Sequence, residues 1–385
     1  MQRIYLDNAA TTAVSPEVLA AMLPYFTQLY GNASSVHGAG REAKRALENA
    51  RRQVARALNA AAPQEIYFTG GGSESDNWAI KGAALAHRER GRHIITTAIE
   101  HHAVLNTCHF LEGQGFEVTY LPVDEYGQVS AEAVVRAIRP DTVLVSVMAA
   151  NNEIGTLQPV AEIGAICRAR GVLFHTDAVQ AVGAIPMDVQ AMQIDLMSLS
   201  AHKLHGPKGV GALYVRKGVK LAPLIHGGAQ ERGLRAGTEN LPGAVGLGKA
   251  IEIAAENLTA ASGALRSLRD QLISGIMALV PDVRLNGHPA NRLPGNANLS
   301  FDRVEGEALL LRLDLAGVAA SSGSACTSGT LEPSHVLEAI GLRPDDVHSA
   351  LRFSLGTDNT QADIDALLRI LPPIVADLRA MRGGR

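Results

Sequence analysis

The chain has 385 residues, 46% hydrophobic and 19% charged, with a formal net charge of −3. This describes a globular protein with room for two domains and a large core, and the near-balanced charge argues against a nucleic-acid-binding role. No apolar run reaches the roughly 18 residues of a membrane span, and the opening Met1-Gln2-Arg3-Ile4-Tyr5-Leu6-Asp7 has no apolar signal core, so a cytoplasmic protein is expected.

From about residue 65 the chain alternates apolar, β-rich runs with helical stretches. Strands are predicted at 65–69, 93–99, 116–123, 142–149, 172–177, 194–200 and 210–215, and helices at 75–90, 103–114, 131–138 and 160–170. Several strands are apolar throughout rather than alternating, as in strands covered on both faces. Strand–helix alternation predicts an α/β fold with a mostly parallel sheet. The last two strands, joined by a Gly/Pro turn, are candidates for an antiparallel pair. A long helix from Pro242 to about Leu279 would bridge to a smaller α+β unit, with strands at 283–285, 297–301, 318–321 and 351–355 and helices at 306–315, 333–340 and 362–379.

Polar groups stand at the ends of these strands. Gly70-Gly71-Gly72-Ser73-Glu74-Ser75 lies between a strand and a helix; it reads either as a phosphate cradle, with glycines admitting close backbone approach, or as a helix cap. Glu100-His101-His102 follows the next strand, where an imidazole could stack on a ring or move protons. Asn151-Asn152-Glu153-Ile154-Gly155 could orient a ligand or form a turn. In His175-Thr176-Asp177-Ala178-Val179-Gln180, a strand-end carboxylate could pair with a protonated ring nitrogen. Ser200-Ala201-His202-Lys203 places a lysine just past a buried strand, where desolvation favours a nucleophilic amine. A lysine flanked by anion-binding groups points to pyridoxal 5′-phosphate; a solvated turn lysine is the alternative.

Of the three cysteines, Cys108 and Cys167 fall in predicted helices and read as core residues. Cys326 lies in Ser321-Ser322-Gly323-Ser324-Ala325-Cys326-Thr327-Ser328-Gly329, a run of small and polar residues. An accessible thiol there suits nucleophilic transfer. Their number and spacing argue against a disulfide framework or a zinc site. No resident metal is expected, although Cys326 could transiently ligate an iron–sulfur cluster. Arg352, inside an apolar strand, reads as a carboxylate-binding guanidinium or an internal ion pair.

Taken together, Ser-Leu-Ser-Ala-His-Lys with Gly-Pro-Lys-Gly, His-Thr-Asp-Ala-Val-Gln, Asn-Asn-Glu-Ile-Gly, Arg235-Ala236-Gly237-Thr238-Glu239-Asn240 and Ser-Ser-Gly-Ser-Ala-Cys-Thr-Ser resemble the cysteine desulfurases of the class V aminotransferase family. The opening Tyr5-Leu6-Asp7-Asn8-Ala9-Ala10-Thr11-Thr12 is similar too, so the likeness runs from about residue 4 to Gly356. The cysteine loop resembles the IscS/NifS-like branch. The resemblance implies a PLP-dependent transferase fold of type I (aspartate-aminotransferase-like), with a large unit over residues 13–260 and a small one over 1–12 and 261–385. It implies Lys203 as the Schiff-base lysine and Gly72, Ser73, Ser200 and His202 as the phosphate site, joined by Thr238 from the second subunit of a homodimer. It implies Asp177 on the ring nitrogen, Gln180 on the ring oxygen, His101 stacked on the ring, and Asn152 with Arg352 on the substrate carboxylate. L-cysteine would give L-alanine, and Cys326 would carry a persulfide to an iron–sulfur scaffold or a tRNA-thiolation enzyme. Ser73 departs from the threonine common in relatives, and Gly72 from the alanine before it; the hydroxyl is kept. A selenocysteine lyase or a transaminase of the same fold is the alternative. A nicotinamide-dependent dehydrogenase built on Gly70–Ser75 would leave Lys203, Asp177 and Cys326 unexplained.

Overall fold

A computed structural model describes residues 3–322 and 333–383. Among the described residues the strands in chain order are β1 (Ile4–Tyr5), β2 (Ile66–Thr69), β3 (His93–Thr97), β4 (Glu117–Leu121), β5 (Thr142–Ser146), β6 (Leu173–Asp177), β7 (Leu196–Ser200), β8 (Gly211–Val215), β9 (Val283–Asn286), β10 (Asn296–Phe301), β11 (Val318–Ala319) and β12 (Ala350–Ser354). Seven form one sheet in the order β2-β8-β7-β6-β5-β3-β4. β8 runs against both β2 and β7, and the other pairings are parallel. β2, β3, β5, β7 and β8 are buried along their whole length, which explains why they do not alternate apolar with charged residues: helices cover both faces, so neither face meets water.

The expected elements are present, mostly one to three residues shorter. Among the described residues four α-helices were not anticipated, two of them single turns at Pro24–Thr27 and Pro344–Val347. Pro16–Met22 starts on a Ser15 cap, and Gly38–Ala57 buries Ala43, Leu47, Ala50 and Val54. Their spacing of four, three and four residues is one helical stripe, packed against the helix Leu241–Leu279. Burying each of the larger of these side chains stabilises the fold by about 1.5–3 kcal/mol. The helix expected at 75–90 begins at Gly72 instead. Ser75 does not cap it: its hydroxyl is 2.8 Å from the Thr69 hydroxyl and donates to the Ala212 carbonyl.

A second sheet, β12-β10-β9, is antiparallel, and β1 pairs in parallel with β11. Along the helix Leu241–Leu279, Leu241 to Ile251 pack into the core of the large sheet, whereas Leu272, Ile273 and Ile276 pack into that of the small one. Among the described residues no helix is long and apolar enough to cross a membrane.

Candidate active site

The carboxyl ends of β2, β3, β5, β6 and β7 open on one side of the large sheet. The strand order reverses between β3 and β5, and ligands of open α/β sheets lie at such a point. A cavity of about 330 Å³ occupies it, lined by Gly72, Ser73, His101, Asn152, Asp177, Gln180, Ser200, His202, Lys203 and Arg352, among others. Residues drawn from separate motifs of the sequence therefore meet. Two site residues stand apart. Thr238 is exposed and does not line this cavity. Cys326 lies outside the described residues.

Lys203 ends a short 3₁₀ turn, Ala201–Lys203, directly after β7. Its Nζ donates to the carbonyls of Ala9 at 2.5 Å and Ala10 at 2.7 Å. The N-terminal segment thus shapes the surroundings of this amine, and Gln180 donates to the same Ala9 carbonyl at 3.0 Å. His202 lies 3.1 Å from the Thr11 hydroxyl through Nδ1. Burial, with Lys203 and Lys208 nearby, lowers its pKa to about 4, so the ring is neutral at neutral pH.

Gly72 and Ser73 open the helix Gly72–His87, whose first N–H groups have no partner within the helix. A Cβ on Gly72 would come within 2.7 Å of Val179 Cγ2, and one on Gly211 within 2.8 Å of the Gly71 backbone. The chain is pared to backbone where a phosphate would approach. Glu74 holds this turn in place: it accepts from the Gly70 N–H at 2.7 Å and pairs with Arg235 at 2.8 and 3.0 Å. The arginine of the Arg-Ala-Gly-Thr-Glu-Asn motif is therefore a brace for the glycine turn.

Asp177 accepts the Val179 N–H at 2.9 Å. Burial raises its pKa, while His101, the Val179 N–H and Lys203 lower it. His101 caps the helix His102–Glu112, its Nδ1 accepting the Ala103 N–H at 3.1 Å, which leaves Nε2 as the protonated nitrogen of the neutral ring. Arg352 is 1% exposed. It donates to Asp7 Oδ1 and to the Asn152 carbonyl, both at 2.9 Å, while also lining the cavity. The internal ion-pair reading of this arginine therefore holds: the pair with Asp7 makes its burial tolerable. Asn151 is structural. Its amide donates to the Ile99 carbonyl, and its Oδ1 accepts the N–H groups of Glu153 and Ile154.

Among the lining residues without an assigned role are three buried acids, Asp76, Glu100 and Glu153, 1%, 0% and 3% exposed. Asp76 follows Gly72 by four residues and so shares its helix face; that spacing was the available signal. Cys108 and Cys167 are buried, and burial raises both thiols to about 12, as expected of core residues.

These residues fit pyridoxal phosphate: a pared backbone at a helix N-terminus for the phosphate, a buried carboxylate for a ring nitrogen, and a lysine between them. The family model described as aminotransferase class-V matches residues 4–367. A protein named cysteine desulfurase IscS from Methanosarcina thermophila is 57% identical over 378 residues, covering 98% of this chain and 93% of that protein. Another of that name, from Dictyoglomus turgidum, is 52% identical over 380 residues, covering 99% of this chain and 96% of that protein. Among solved structures, one described as a NifS-like protein superposes with a TM-score of 0.92 at 42% identity, covering 98% of this chain and all of that one. One described as SspA in complex with cysteine superposes at 0.82 with 41% identity, covering 93% of this chain and all of that one. The chain belongs to the class-V aminotransferase family and, within it, to the cysteine desulfurases.

Proposed function

We propose that this enzyme converts L-cysteine to L-alanine, with Cys326 taking the sulfur as a persulfide for delivery to an iron–sulfur scaffold protein or a tRNA-thiolation enzyme. The observation that carries the reading is the meeting of Lys203, Asp177 and Arg352 in one cavity at the strand ends. The cofactor of the family is pyridoxal 5′-phosphate, and when bound it accepts the electron pair released at the substrate Cα. Gly72, Ser73, Ser200 and His202 hold its phosphate, Asp177 takes the ring nitrogen, Gln180 the ring oxygen, and His101 covers the ring face. Arg352 and Asn152 orient the substrate carboxylate. Lys203, in the middle of the cavity, moves the proton at Cα.

The Cys326 thiolate forms an S–S bond to the substrate sulfur as the Cβ–S bond breaks. The electron pair of that bond stays with the carbon skeleton, which takes up a proton and leaves as alanine. Sulfur is oxidised to the sulfane level while carbon is reduced, so no outside oxidant enters the step.

A homodimer belongs to the same proposal. Thr238 is exposed, available to complete the phosphate site of a partner, and Leu19, Leu23, Phe26, Tyr30 and Val36 form an exposed apolar stretch. So does the division into a large unit over 13–260 and a small unit over 1–12 and 261–385, supported by the two cores that share the long helix. The cytoplasm is the proposed location.

The purified protein is expected to be yellow and to be bleached by borohydride with label on Lys203; a colourless protein that resists reconstitution overturns the reading. Cys326→Ala is expected to retain the cofactor and bind cysteine while releasing no sulfide. Full turnover by that variant overturns the role of Cys326.

A further inference from the structure

Four buried carboxyl groups line the cofactor cavity; Glu153 accepts from the Ser334 hydroxyl at 2.6 Å, and the other three act on one another. Asp177 ends β6, Asp76 projects from the helix Gly72–His87, and Glu100 follows β3; all three line the cavity and are at least nine-tenths buried. One oxygen or ring nitrogen from each of Asp76, His101 and Asp177 lies within 4.8 Å of the others. Among the described residues, Asp76 Oδ1 and Glu100 Oε2 have no hydrogen-bond partner.

The surroundings of the three differ. Asp177 faces His101 and Lys203 and accepts a backbone N–H. Glu100 Oε1 accepts from the Thr97 hydroxyl at 2.7 Å and the Met148 N–H at 3.0 Å; Asp177, Asp76 and the Cys108 thiol are its acidic neighbours, and the His335 ring reaches its backbone carbonyl at 3.0 Å, not its carboxyl. Asp76 shares a hydrogen bond with Ser198 and faces Asp177 and Glu100. Its neighbour on β6, His175, brings no charge. The ring is held between the Ser146 hydroxyl at 2.8 Å and the Ser198 hydroxyl at 3.0 Å, its Nε2 is 3.7 Å from Asp76 Oδ1, and burial lowers its pKa to about 3. Ionising all three carboxyls would put three like charges in a dry pocket where Lys203 acts on Asp177 and His101 lies close to both Asp76 and Asp177.

We propose that Asp76 and Glu100 are positioning residues that remain protonated in the holoenzyme, leaving Asp177 as the ionised carboxylate of the trio beside the cofactor ring. This rests on the reading of Asp177 given above. The two neutral acids fill the space behind Asp177 without adding charge, so the ring nitrogen meets a single negative group. Burial pushes both in this direction, raising Glu100 to about 8 and Asp76 well above the ordinary carboxylate range, with Asp177 adding to each.

Infrared difference spectroscopy of the holoenzyme tests this at neutral pH. A protonated-carboxyl stretching band is expected in the wild type and is expected to weaken in Asp76→Asn and in Glu100→Gln, each a neutral isostere. The pH midpoint of the cofactor's visible absorption is expected to move by less than about half a unit in these two variants. It is expected to move by about one unit or more in Asp177→Asn. Absence of the band in the wild type, which needs no variant to fold, overturns the proposal alone. So does an Asp76→Asn midpoint displaced as far as that of Asp177→Asn. An unmoved midpoint in Asp177→Asn overturns the reading of Asp177, and the proposal with it.

Discussion

Where the cavity meets the first residues of the helix Gly72–His87, Gly72 and Ser73, it presents backbone, a hydroxyl and an edge open to water, with Ser73 exposed. Where it meets the ends of β3 and β6, it presents Asp76, Glu100 and Asp177, each at most 6% exposed, with the neutral His175 behind them. The first end binds by shape and by the free N–H groups of a helix terminus. The second acts through which groups carry charge in a dry setting, where a proton gained or lost weighs far more than at the surface. Lys203 stands between the two ends, and the cavity's chemistry depends on both.

Removing that central residue is the largest perturbation. Lys203→Ala is expected to lower turnover by about 10³-fold or more while the fold is retained, measured by alanine release and circular dichroism. Turnover near wild type would remove the reason for placing chemistry between the two ends. Asp177→Asn, at the dry end, is expected to lower kcat by on the order of 10²-fold. An effect confined to cofactor affinity would make that end merely another binding wall. Gly72→Ala probes the open end: its Cβ would meet Val179 Cγ2 at 2.7 Å, and overpacking of this kind costs about 1–3 kcal/mol. A loss of roughly tenfold in cofactor affinity is expected, read by absorbance titration, with kcat at saturation little changed.

The smallest effect separates the two ends by pH. His175 and His202 have pKa values lowered from 6.5 to about 3 and about 4. Their unfolded forms bind more protons as pH falls below 6.5, so their contributions raise stability with pH only up to that point. Glu100 has its folded pKa raised from 4.5 to about 8. Between these values the folded chain holds the extra proton, so its contribution falls as pH rises through the window. From pH 6.5 to 8 the histidines no longer oppose it. In urea unfolding of the cofactor-free protein, Glu100 is expected to contribute a fall in stability there of up to about 1.4 kcal/mol per pH unit, in the same direction as the contribution of Asp76. Glu100→Gln is expected to make that slope shallower; an unchanged slope would mean that Glu100 contributes no such charge dependence.

The open end was the more legible in the sequence. Glycines, hydroxyls and a helix start are consecutive there, and local pattern encodes local backbone. The expected helix start was still three residues late, because Ser75 spends its hydroxyl on Thr69 and Ala212 across the sheet. The helix Gly38–Ala57 carried a visible apolar stripe, but its buried Arg51 depends on Glu231, 2.7 and 2.8 Å away, a partner 180 residues distant. At the dry end, Asp177 was recognisable as a strand-end carboxylate. Asp76 and Glu100 were not, since an acid in a helix or after a strand is ordinarily solvated.

The sequence by itself determined the α/β architecture, the strand-end motifs, and, through their resemblance as a set, the cofactor and the reaction expected. Periodicity and turn chemistry are properties of neighbouring residues, so they survive without coordinates. The tertiary structure decided which side chains share the cavity and which of them are dry. It seated Arg352 between Asp7 and the Asn152 carbonyl, set the Lys203 amine on the carbonyls of Ala9 and Ala10, and brought Asp76, Glu100 and Asp177 to the wall of one cavity. Charge and protonation follow from burial and from distant neighbours, and neither is written in the local order of residues.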